Sequence, residues 1–417
     1  MSQPTRLTCR TILTLIGFAL LVRLFVLIIF PSVQYSFGDS SDYQKAAHAL
    51  CIKLPYPDAT ELPFFRAPGL PIFLALATVC SPHTTTLGRL ALIFTDLISV
   101  IGLISLTHLL GLKTKVQLLT ALAFAISPLV VGQTLDIQSE PLFQCFTIWL
   151  TVAIFNHSKR SRFIAGLLFG AAALTRPVAI GFIPLILWGI WQITPKILVK
   201  GSLLFFFGAF LIISPWSYAN FLRTGEFILI NDAAGYNFWR GNHPIMAEVY
   251  NAADADTLAN LSYRLEHELT PALIVGKSSL SRSEGSSYFF QQGLTQLVNN
   301  PAASFSLLVT KCWVFLRPTI HSGAWPNLIW WAIALWESLL YIFATLAFLK
   351  GPLSVRMRIG ILLYLFLGLI LSVPFQVVTR FRVPLYEWVL LILAATLFGS
   401  ERDYQNKART DTSSTSG

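Results

Sequence analysis

Long apolar runs separated by short polar breaks dominate the chain, and most are close to the length a helix needs to cross a hydrocarbon core of ~30 Å. Lipid offers the backbone no hydrogen-bond partners, so these runs are read as helices and the chain as an all-α polytopic membrane protein. Ten transmembrane helices are predicted, at about 11–30, 89–110, 116–134, 140–156, 162–175, 177–193, 199–219, 326–349, 357–375 and 383–399. Two further apolar runs, Pro68 to Cys80 and Ala302 to Leu316, are expected to lie as extracytoplasmic interfacial helices. Counting either as a crossing would put a basic segment outside.

Two long polar segments interrupt this pattern and divide the chain. Residues 1–219 form an N-terminal transmembrane core with a first external loop at 31–88, and 220–325 form a small external cap. C-terminal transmembrane helices follow at 326–400, and a polar, low-complexity tail at 401–417 is expected to be disordered. The first run follows Arg6 and Arg10, with no small-residue cleavage site before the polar loop, and is read as a retained signal anchor.

Composition and charge sharpen the class. The chain is 54% hydrophobic and 12% charged, with mean hydropathy +0.64. A net charge of +10 suggests nucleic acid as a partner, but half of the 30 Lys and Arg fall in six short segments between apolar runs. That is the positive-inside pattern, so membrane lipids are the partner and nucleic acid is not. Both termini are then cytoplasmic. The five cysteines, odd in number and without paired spacing, suggest neither a disulfide framework nor a metal knuckle. No internal repeat is visible, which weakens a transporter built from inverted halves.

Candidate chemistry gathers in the external polar segments. Asp39 precedes Tyr43 by four residues, so on an interfacial helix the two share a face, with Asp42 close by. Arg66-Ala67-Pro68-Gly69-Leu70-Pro71 then leads into an apolar run. Next comes a second acidic motif, Leu135-Asp136-Ile137-Gln138-Ser139-Glu140-Pro141. Leu174-Thr175-Arg176-Pro177 and Arg380-Phe381-Arg382-Val383-Pro384 complete the order. This order resembles that of the GT-C type bacterial membrane glycosyltransferases, akin to the protein O-mannosyltransferases and the aminoarabinose lipid A transferases. The latter carry an acidic residue before the Arg-Ala-Pro motif, where this chain has Phe64 and Phe65.

The resemblance implies a GT-C-like bundle in the bacterial inner membrane with its active site on the outer side. It implies a polyprenyl-phosphate sugar as donor and a hydroxyl on a glycan, lipid or protein as acceptor. Such a donor is already activated, so the protein must supply a base and a phosphate clamp. Asp39 stands at the family position of the catalytic Asp, with Asp42 in reserve; the bland alternative is that Asp39 caps its helix. Glu140 either orients the acceptor, shares a divalent ion such as Mg²⁺ or Mn²⁺ with Asp39, or simply meets the helix dipole. No cofactor is otherwise required. Arg380 and Arg382, read as a short external loop, suit a lipid phosphate or pair with Glu387. Arg66, Arg176 and Asp136 are further substrate contacts, although the two arginines could equally snorkel. Asn242, in the Gly241-Asn242 turn beside Tyr236 and Trp239, is either part of a sugar-stacking surface or an ordinary folded loop. A lipid-carrier or solute transporter is the alternative class, with Asp39 and Glu140 guarding a pathway.

Within the bilayer, Arg23 and Asp96 fall at similar depth in the first two spans and are expected to form a structural ion pair. Glu337 has no partner that the sequence identifies. Gly166 and Gly170 are spaced for a close helix contact.

Overall fold

The computed structural model describes residues 7–30, 39–52, 66–81, 84–156, 158–193, 198–252, 255–274, 280–320, 327–351 and 353–399. The 401–417 tail, Arg6 and the Phe64-Phe65 pair lie outside them. Among the described residues every regular element is a helix, and each of the ten predicted spans overlaps at least one of them.

The core helices are α1 (Cys9–Ile29), α4 (Thr84–Leu109), α5 (Thr114–Ile126), α7 (Glu140–Phe155), α8 (Lys159–Thr175), α9 (Ile183–Ile193) and α10 (Leu198–Thr224). At the C-terminal end stand α17 (Asn327–Lys350), α18 (Val355–Ser372) and α19 (Thr379–Gly399). In chain order, α2 (Asp39–Cys51) and α3 (Gly69–Ala77) stand between α1 and α4, and α6 (Pro128–Gly132) follows α5. Between α10 and α17 lie α11 (Ala234–Asn242), α12 (Ile245–Asn251), α13 (Ala255–Tyr263), α14 (Thr270–Ile274), α15 (Arg282–Asn299) and α16 (Pro301–Leu316). Six helices, α1, α4, α10, α17, α18 and α19, are long and apolar enough to cross a membrane.

Local chemistry sets several boundaries. Thr8, Ser158 and Ser354 each accept a backbone N–H of the first turn that follows, and Ser281 forms a reciprocal capping box with Glu284. The predicted span at 116–134 breaks at Ser127, because Pro128 disfavours a helical residue before it; α6 is the displaced remainder. Packing centres on α19, which is buried along most of its length and touches α5, α7 and α17.

The α8–α10 contact shows why small residues matter. A Cβ at Gly166 would lie 2.0 Å from the Phe205 carbonyl oxygen, and one at Gly208 would lie 2.4 Å from that of Phe163. These helices therefore approach backbone to backbone. Gly166→Leu is expected to destabilise the protein by about 1–3 kcal/mol through forced separation of the pair. A detergent-phase thermal melt unchanged by the substitution would refute the contact.

The Arg23–Asp96 pair is present, with Arg23 also donating to the carbonyls of Ala19 at 3.1 Å and Ala125 at 2.9 Å. Glu337 has its partner in Arg382, at 2.6 Å.

Candidate active site

A cavity of about 540 Å³ opens where α2, the start of α3, the start of α7, the end of α8, α11 and the start of α19 converge. Its polar wall holds Asp39, Tyr43, Arg66, Glu140, Arg176, Arg240 and Arg380. Val178, Ile180, Gly181, Leu371, Phe375 and Val378 add apolar lining to the same cavity.

Each charged group arrives there for a local reason. Asp39 is the first residue of α2, and Tyr43 one turn later faces the same cavity. The Arg66 segment is brought in by Gly69, whose position leaves no room for a side chain. A Cβ there would lie 2.5 Å from Thr175 Oγ1 and 2.6 Å from the Thr175 backbone nitrogen. Pro177 pushes Arg176 into an extended conformation (φ −143°, ψ 110°), which ends α8 and points the guanidinium at Glu140. Glu140 is the first residue of α7 and is buried. Arg380 stands in the first turn of α19 rather than in a loop, and Pro384 leaves its carbonyl without an intrahelical donor. Gln133 Nε2 donates to that carbonyl at 3.4 Å.

The arginines and carboxylates interlock. Asp39 accepts from Arg66 through Oδ1 at 2.8 Å and from Arg380 through Oδ2. Glu140 Oε1 lies 2.8 Å from Arg176 Nη1 and 3.5 Å from Arg380 Nε. Phe381 lies beside both cations, its ring centre 4.5 Å from the Arg176 guanidinium and 5.4 Å from that of Arg380. Burial alone would raise the Asp39 carboxyl, but Arg66 and then Arg380 hold it well below the ordinary carboxylate range. Its contribution to stability is thus complete above the unfolded value near 3.8 and fades only as pH falls through the lower folded value. Tyr43 is raised by burial, so its hydroxyl stays protonated and available as a donor.

Several predicted site residues lie elsewhere. Asp42 is buried behind the cavity wall, where it accepts from Arg66 Nη2 at 2.8 Å; its carboxyl is raised, since burial outweighs the pull of Arg66. Asp136 is buried and accepts from the Ile137 backbone N–H at 2.7 Å. Asn242 is structural: its amide donates to the carbonyls of Phe238 and Pro374, and its Oδ1 accepts from buried Lys311 at 3.0 Å. Arg382 is fully buried on the opposite side of α19, bonded to Glu337, Tyr341 and the Arg317 carbonyl. It pairs with Glu337 and not with Glu387, whose carboxylate accepts from Ser127 at 2.6 Å.

Arg240 is a cavity-lining cation absent from the residues singled out in the sequence. It lines the cavity from α11 and pairs with Glu266 at 2.6 Å. Its signal was a charged residue between Trp239 and Gly241 on a buried helix face, invisible while that stretch was read as a turn.

The carboxylates do not fit a divalent ion as arranged. Asp39 turns both oxygens and Glu140 its Oε1 to guanidiniums, Glu140 Oε2 accepts from the Ser139 hydroxyl, and among the described residues no group of three or more His, Cys, Asp or Glu converges to hold one.

A disulfide overturns the reading of the cysteines. Cys51, the last residue of α2, is bonded to Cys80 just beyond α3, with Cα atoms 5.7 Å apart. The chain reaches Cys80 through two left-handed residues, Val79 (φ 49°) and Cys80 itself (φ 57°), a costly backbone for side chains with a Cβ. Replacing both cysteines by Ser is expected to cost about 2–4 kcal/mol and to slow turnover, because the helix carrying Asp39 loses its tether. Equal melting temperatures with and without reductant would refute this role.

No protein-family model matches the sequence, and no curated protein matches it. Among solved structures, the chain is similar to the Archaeoglobus fulgidus oligosaccharyltransferase in its apo form, at a TM-score of 0.55 and 14% identity over 97% of this chain and 52% of that one. It thus spans about half the length of the archaeal protein. ArnT from Cupriavidus metallidurans bound to undecaprenyl phosphate matches at a TM-score of 0.43 and 14% identity, over 93% of this chain and 77% of that one. The chain is an integral membrane protein with a GT-C-like fold.

Proposed function

We propose that this protein is an inverting glycosyltransferase that moves a sugar from a polyprenyl-phosphate donor to a hydroxyl acceptor on the outer face of the bacterial inner membrane. The observation that carries the reading is one ionised carboxylate, Asp39, flanked by Arg66 and Arg380 at a cavity that also has apolar lining. That combination suits a ligand with a charged head and a greasy tail.

The chemistry follows from those groups. The acceptor oxygen attacks the anomeric carbon and Asp39 takes its proton. The new carbon–oxygen bond forms as the bond to the phosphate oxygen breaks, and the electron pair leaves with the phosphate. Departure on the opposite face inverts the anomeric centre. The leaving phosphate gains one negative charge, which Arg380, Arg66 and Arg176 are placed to stabilise. Glu140 orients Arg176 and Arg380. The Cys51–Cys80 disulfide supports an oxidising, extracytoplasmic side for the site, as does the clustering of basic residues between the spans.

The test is consumption of a panel of polyprenyl-phosphate sugars by the purified protein, with an envelope extract as acceptor. Consumption that vanishes in Asp39→Asn, with an inverted product, is the expected result. Intact donor recovered on the other leaflet would point instead to a lipid-carrier transporter.

A further inference from the structure

The cations at the cavity are already engaged by carboxylates. Arg66 holds Asp39 and Asp42, each at 2.8 Å, and Arg176 holds Glu140 at 2.8 Å. Arg380 holds Asp39 while its Nε lies 3.5 Å from Glu140. Arg240 is held by Glu266. Among the described residues, three arginines and three carboxylates thus form a locally neutral group around Asp39. A lipid phosphate brings at least one more negative charge, and it enters a set of closed ion pairs and not a waiting clamp.

Arg380 is the cation best able to change partners. Among the described arginines it is the one with ion-pair contacts to both Asp39 and Glu140, and its contact with Glu140 is long. It faces the cavity, partly exposed, and the Phe381 ring beside it gives the guanidinium a surface on which to slide. Arg66 is differently placed, since its second carboxylate, Asp42, is buried behind the wall and anchors it there. Meanwhile both oxygens of Asp39 carry a guanidinium, so an acceptor hydroxyl must compete with an arginine for its proton acceptor.

Resting on the lipid-phosphate reading above, we propose that the donor's phosphate draws Arg380 away from Asp39, so that donor binding itself uncovers the base. The exchange replaces one charge-assisted pair by another, and Glu140 retains the arginine within the site. Asp39 meets the acceptor only once the donor is seated. Glu140 is then a positioning residue for a cation that moves.

Linkage supplies a test with an unusual sign. If phosphate and Asp39 compete for Arg380, removing the Asp39 charge must tighten phosphate binding even as it stops transfer. The experiment titrates undecaprenyl phosphate into the full chain in lipid nanodiscs, using wild type, Asp39→Asn, Asp39→Ala, Arg380→Gln and the Asp39→Asn/Arg380→Gln double variant, each shown folded by its melt. Both neutral substitutions at 39 are expected to bind about tenfold more tightly than wild type, as when the competent state is about one-tenth populated. Most of that gain should disappear in the Arg380→Gln background. Equal or weaker binding by the neutral variants, or a gain undiminished without Arg380, overturns the exchange and leaves the lipid-phosphate reading standing. Absence of binding by wild type and variants alike overturns both.

Discussion

Asp39→Asn is expected to lower transfer by about 10²–10⁴-fold, the usual weight of a positioned general base, in a chain that still folds. The fold survives because Arg66 keeps Asp42 and Arg380 keeps Glu140 when the Asp39 charge is lost. Asp42→Asn separates the two neighbouring acids, since Asp42 is buried behind the cavity wall and reaches the site only through Arg66. It should cost stability and leave much of the turnover. Glu140→Gln should fall between the two, because it loosens both Arg176 and Arg380. Initial rates for the three variants, with wild-type rates measured from about pH 8 down to about pH 5, provide the check. With Asp39 held well below the ordinary carboxylate range, the wild-type profile should show no acid limb from this group in that interval. A loss in Asp42→Asn as deep as that in Asp39→Asn would move the base by one turn of helix.

Arg23→Ala and Asp96→Ala should each destabilise the protein by about 3–5 kcal/mol, the cost of stranding one charge of a buried pair. Both side chains are 1% exposed, so neither survivor can turn to water. The clasp reaches beyond two residues: Arg23 on α1 binds Asp96 on α4 and the Ala125 carbonyl at the end of α5. Removing Arg23 therefore unties three helices at once. Unfolding titrations of both single variants and the double variant measure the coupling. The double variant should lose far less than the sum of the singles, whereas additive losses would show two independent contributions.

The membrane helices were legible because each is a long apolar run, and length against bilayer thickness is a strong signal. The break at Ser127 was signalled by Pro128 but was overridden by continuous hydrophobicity on both sides. Asp39, Glu140, Arg66, Arg176 and Arg380 were found by residue type and order, and the fold brings all five to one cavity. Arg382 shows where that reading runs out. Two residues apart in a loop could serve one ligand, but on α19 they point about 200° apart, so Arg380 meets Asp39 while Arg382 meets Glu337. Asn242 failed similarly, because a supposed turn is a helix whose polar face holds Lys311 and the Pro374 carbonyl. The Cys51–Cys80 bond had no spacing signature at all; it exists because the ends of α2 and α3 meet in space.

That bond also changes what kind of object α2 is. Arg66 lies within the loop that Cys51 and Cys80 close, and Asp39 lies one helix length before it. Both halves of the Asp39–Arg66 pair are therefore fastened by an oxidation step completed after synthesis. Two preparations with identical sequence could then differ in specific activity according to how each matured, so the fraction of chains in which Cys51 and Cys80 are joined belongs beside every rate measured on this protein.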